Sequence, residues 1–71
     1  MSGKTHELKI YANHRHAHYP HGTMILHLWF VGKHFMEMDL DIALNRRDVS
    51  YVDVIDLEKH TTKRKYATVK A

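Results

Sequence analysis

Apolar residues recur at every second position along much of the chain. In residues 34–42, Met36, Met38, Leu40 and Ile42 alternate with Glu37, Asp39 and Asp41, the period of a strand with one buried face. Residues 6–12 repeat the pattern with Leu8, Ile10 and Ala12. Residues 24–31, MILHLWFV, are apolar on both faces, as in a central strand covered from two sides. Residues 50–58 and 64–70 are further strand candidates through their β-branched and aromatic side chains. Residues 39–47 also fit a short helix started by Asp39 or Asp41. The expectation is an all-β protein, a small antiparallel meander or barrel of about five strands, with one short helix near 39–47 as the variant. Residues 1–71 are read as one small domain.

Turn chemistry supplies a register. Tyr19-Pro20-His21-Gly22 suits a type I turn, and Gly32-Lys33 a two-residue type II′ hairpin. Pairing Val31 with His34 places Trp29 opposite Met36, His27 opposite Met38 and Ile25 opposite Leu40. Pairing Tyr19 with Gly22 places Ala12 opposite Trp29, His14 opposite His27 and His16 opposite Ile25. One side of the three strands then collects the apolar residues. A three-residue second loop would turn every side chain of residues 34–42 to the other face and set Met36 to Ile42 against Phe30, Leu28, Leu26 and Met24. In the first register Leu26, Leu28 and Phe30 stay apolar on the reverse face, to be covered by the C-terminal strands or by another copy of the chain.

Composition narrows the chemistry. The chain has no cysteine, which removes disulfides, thiolate metal sites and cysteine nucleophiles. No apolar run approaches the roughly 18 residues of a membrane span, and the N-terminus lacks a signal-peptide core. These features read as a soluble cytoplasmic protein. A core this small yields about 3–5 kcal/mol, so a partner chain or a metal is a natural supplement.

Eight histidines stand out, four of them at His14, His16, His18 and His21. The register above puts His14, His16 and His27 on one face, with His14 and His27 about 4.5–5.5 Å apart at Cα. Three neutral imidazoles so placed are zinc or nickel ligands in type. A cluster of this kind also arises simply because histidine is abundant here, and the expectation carries no required cofactor.

Catalytic patterns are thin. His21-Gly22-Thr23 and His60-Thr61-Thr62 both read His-x-Thr, the paired motif of two-histidine phosphoesterases, but those enzymes need a chain roughly twice as long for two lobes. Ser50 lacks a nucleophile context, and Glu37, Asp39 and Asp41 follow from alternation as a solvated face. No enzymatic activity is expected.

Charge points elsewhere. The net charge is +3 with histidine neutral, and would reach +11 with all eight protonated. Residues 59–70 hold Lys59, Lys63, Arg64, Lys65 and Lys70 with no acid. Lys and Arg neutralise phosphates and an exposed tyrosine stacks on a base. The expected function is therefore binding of an anionic partner, nucleic acid above all, through Arg46, Arg47, Lys63, Arg64, Lys65 and Tyr66. An acidic protein surface fits the same cations. A protein-interaction or inhibitor module acting as a homodimer is the alternative, and histidine-dependent metal binding a third.

Overall fold

The computed structural model describes residues 3–68 as a four-stranded antiparallel sheet with one helix packed on it. The elements in chain order are β1 (His6–Ala12), β2 (Met24–Phe30), α1 (Lys33–Leu44), β3 (Val49–Asp56) and β4 (Thr61–Tyr66). The sheet order is β2-β1-β3-β4. Both β2 and β3 run antiparallel to β1, which lies between them, so α1 carries the chain over β1 from one parallel neighbour to the next. Small all-antiparallel character and one short helix match the sequence expectation, with four strands in place of five.

The main difference is at residues 33–44. The alternation there forms no strand; it is helical from Lys33 to Leu44, burying Met36, Leu40 and Ala43. Those three positions follow an i, i+4, i+7 spacing, so one methionine and one leucine of the apparent strand face also satisfy a helix period. Composition favours the helix: Ile42 is its sole β-branched residue, among Lys, Met, Glu, Leu and Ala. Gly32, at φ 92° and ψ 151°, turns the chain off the sheet rather than into a hairpin. Its N–H donates to Thr5 Oγ1 at 2.8 Å.

No side chain caps the start of α1, and no acid occupies its first turn. A 12-residue helix is marginal alone, and burial of its apolar face against the sheet holds it. Its last turn is better secured. Asn45 Nδ2 donates to Asp41 O at 2.8 Å, and the Thr68 N–H donates to Leu44 O at 2.9 Å.

The core lies between α1 and one sheet face. Leu8, Ile10 and Ala12 of β1 and Val49 and Val52 of β3 are buried there with the helix residues. Full burial of Leu8, Val49 and Val52 contributes about 1.5–3 kcal/mol each before conformational entropy is counted. Leu28 and Phe30 of β2 pack on the edge of this core.

The three-strand register of the sequence reading is replaced. Trp29 sits opposite Glu7, His27 opposite Lys9, and Met24 opposite Tyr11, with a bulge between Ile10 and Tyr11. The turn before β2 shifts by one residue. Thr23 N–H donates to Pro20 O at 3.2 Å, and Gly22 takes φ 90° at the third position, as a type II turn requires. The last strand runs 61–66; of the expected 64–70, residues 69 and 70 lie outside the described residues.

Candidate nucleic-acid interface

Alternation sends the other half of the strand residues to the face away from α1. Their pairings arrange them in three rows across the sheet. The first row is Trp29, Glu7, Ile55 and Thr62; the second is His27, Lys9, Asp53 and Arg64; the third is Met24, Tyr11, Tyr51 and Tyr66. The third row therefore places one tyrosine on each of three adjacent strands, spanning about 10 Å.

The rings touch. Tyr11 and Tyr51 stack with centroids 4.7 Å apart, and Tyr66 lies 6.1 Å beyond Tyr51. The Arg64 guanidinium covers the Tyr51 ring at 4.0 Å, an attraction between the cation and the π face. Asp53 fixes Arg64 with contacts of 2.9 and 3.3 Å, and that hydrogen bond holds the guanidinium above its ordinary pKa. Tyr66 is 69% exposed and Trp29 48% exposed, so the free ring surface sits at two corners of the face. At the Trp29 corner His27 stacks at 4.0 Å and Lys4 approaches the indole at 5.0 Å. Glu7 hydrogen-bonds His27 Nε2. Lys9 sits at the centre and makes no ion pair among the described residues.

The six residues expected to bind nucleic acid take four different placements. Arg64 and Tyr66 join the open face just described. Lys63 and Lys65, which alternate with them in sequence, point to the opposite side, where with Lys33 and Lys59 they rim a groove of about 470 Å³ between α1 and β4. Arg46 is committed to the fold: its Nε and Nη2 contact the two carboxylate oxygens of Asp48 at 2.9 and 2.8 Å. That hydrogen bond holds the Asp48 carboxyl below its ordinary pKa. Arg47 is exposed in the α1–β3 turn, at the same end of the sheet as the tyrosine row.

The three histidines proposed as metal ligands are not brought together. His27 belongs to the open face of β2, while His14 and His16 lie in the loop after β1. The register that aligned them needed the first strand to run on past Ala12 through His16, with His14 opposite His27; β1 instead ends at Ala12 and sets Lys9 opposite His27. Among the described residues no three His, Cys, Asp or Glu side chains converge on a metal position. His16 instead organises its own loop. Its Nδ1 accepts from the N–H groups of His18 and Tyr19, both at 3.2 Å, and its Nε2 lies 3.8 Å from Asp48. Buried Asn13 anchors the loop, donating from Nδ2 to Arg47 O at 2.6 Å. The two His-x-Thr segments lie at opposite ends of the sheet, His21 before β2 and His60 in the β3–β4 turn.

Tyr11, Tyr51, Trp29 and Lys9 escaped the sequence reading as site residues. Tyr11 and Tyr51 occupy the polar phase of their strands' alternation, and an aromatic in that phase is the signal that could have found them; Lys9 and Trp29 carry no such signal. No helix among the described residues is long and apolar enough to cross a membrane. No family model, curated protein or solved structure matches the chain.

Proposed function

We propose that this protein binds single-stranded nucleic acid on the open face of its sheet, without catalysis. The observation that carries the reading is the aromatic row Tyr11–Tyr51–Tyr66 with Trp29, on a face with Arg64 and Lys9 among the rings. Bases stack on exposed rings at about 1–3 kcal/mol each. Arg64 is pre-oriented by Asp53 and Tyr51, so little side-chain entropy is lost on meeting a phosphate or a base. Lys63 and Lys65 lie on the other side of the same edge strand, where a strand leaving the face meets further cations. A single strand suits this face better than a duplex, whose bases are not presented for stacking.

Titrating oligothymidine at two salt concentrations tests the reading, with Trp29, the chain's one tryptophan, as fluorescent reporter. Three or four phosphate contacts give a log–log salt slope of about −2 to −3 for a single strand. Affinity then falls roughly 20- to 50-fold from 50 to 200 mM salt. Polyglutamate, offering charge without bases, binds more weakly and leaves Trp29 emission unchanged. Equal binding of both polymers would assign the cations to an acidic protein surface instead.

A further inference from the structure

The two edges of the sheet differ in chemistry. The outer edge of β4 carries three consecutive cations, Lys63, Arg64 and Lys65, and charged edge strands resist pairing with other chains. The outer edge of β2 has no such protection. Its seven residues, MILHLWF, include no Lys, Arg, Asp, Glu or Pro, and among the described residues no strand pairs with it.

Exposed apolar side chains gather on that same side. Met24, Leu26 and Trp29 of β2 are 42–48% exposed. On α1, Phe35, Met38 and Ile42 are 51–63% exposed. At 100° per residue these three share one flank of the helix, turned away from Lys33 and Glu37, which line the groove towards β4. A free backbone edge calls for another strand, and an uncharged apolar border calls for an uncharged apolar partner.

We propose that β2 pairs antiparallel with β2 of a second copy, across a twofold axis through His27. A twofold normal to the sheet keeps each side chain on its own face, so the axis must pass through a residue pair. Centring it on His27 uses the regular part of β2 that follows the bulge at Ile25. Leu26 then lies opposite Leu28 of the second copy on both sides of the central His27 pair, apolar against apolar, with Met24 and Ile25 displaced from this ladder by the bulge. The product is a continuous eight-stranded sheet, with both helices on one face and both tyrosine rows on the other. The helices flank the axis about 15–20 Å apart, with Leu26 and Leu28 of both copies filling the floor between them. The basic β4 edges become the two outer margins of the assembly. This pairing rests on the edge itself and stands whether or not nucleic acid binds.

Sedimentation equilibrium across a wide concentration range, together with a single-cysteine cross-link, tests it. The wild-type chain is expected at twice its 8.4 kDa mass. Leu26→Lys, at an already exposed position, is expected to sediment at the single-chain mass with an unchanged circular dichroism spectrum. Because the chain has no cysteine, His27→Cys introduces one. Opposed Cα atoms at about 4.5–5.5 Å lie within disulfide range, so mild oxidation should yield a covalent dimer. Thr62→Cys, on β4, should not yield one at the same concentration. Single-chain mass for wild type at every concentration overturns the proposal. A dimer that survives Leu26→Lys, with no His27→Cys cross-link, equally overturns it and assigns the contact to another surface.

Discussion

Replacing Tyr66 with alanine separates binding from folding more cleanly than any other change on the open face. The ring is 69% exposed, on an edge strand, and 6.1 Å from Tyr51. Its loss therefore costs the fold no more than about 1 kcal/mol, the upper range for an exposed aromatic pair. A base stacked on it is worth about 1–3 kcal/mol. At about 1.4 kcal/mol per tenfold, the dissociation constant for oligothymidine rises roughly 5- to 150-fold. Tyr66→Phe keeps the ring and should remain within about twofold of wild type. Titrations followed by Trp29 emission give these constants directly, with circular dichroism confirming that each variant is folded. A folded Tyr66→Ala protein that binds as tightly as wild type refutes the stacking argument.

Other predictions concern the parts that hold the face in place. Asn13→Ala removes the bond to Arg47 O at 2.6 Å and the acceptor for Arg15 N–H at 2.7 Å from a buried position; urea unfolding should show a loss of about 1–3 kcal/mol. Gly32 sits at φ 92°, and a Cβ added there would meet nothing within 4 Å, so Gly32→Ala encounters only backbone strain, about 1–3 kcal/mol. Equal stability of that variant would mean the chain leaves β2 by another route. Asp48 is held low first by its hydrogen bond from Arg46, and Asp56 by backbone N–H groups, that of Lys59 foremost. A depressed carboxylate stabilises the fold fully above its unfolded value of about 3.9 and loses that contribution as pH falls through the lower folded value. Stability should therefore decline below about pH 4, and more shallowly in Asp48→Asn; an identical acid limb would contradict the role given to the Arg46–Asp48 pair.

The strands were legible by different signals: β1 by its period of two, β2 by its apolar run, and β3 and β4 by β-branched and aromatic residues. β1 runs from His6 to Ala12 and β2 from Met24, as their patterns indicate. Residues 33–44 were misread because Met36 and Leu40 serve both periods, and no cap or first-turn acid marks a helix start there. With that element helical, β1 gained β3 as its second neighbour; the histidine alignment dissolved separately, because β1 ends at Ala12 and sets Lys9 opposite His27. Within the basic segment, Arg64 and Tyr66 emerged together, whereas Lys63 and Lys65 went to the groove side. Strand geometry alone requires that division, since neighbours in a strand face opposite ways. The tyrosine row was not legible, because Tyr11 meets Tyr51 only through the pairing of β1 with β3, strands distant in sequence, and Tyr66 joins it through the β3–β4 register.

Amide chemical-shift mapping of the labelled protein with saturating oligothymidine addresses the open sheet face as a binding surface most directly. The expected perturbations concentrate on Tyr11, Tyr51, Arg64 and Tyr66 and on the Trp29 indole, leaving Met36, Leu40 and Ala43 of α1 unmoved. Shifts confined to α1 and the lysine groove, or no shifts at saturation, would contradict the account.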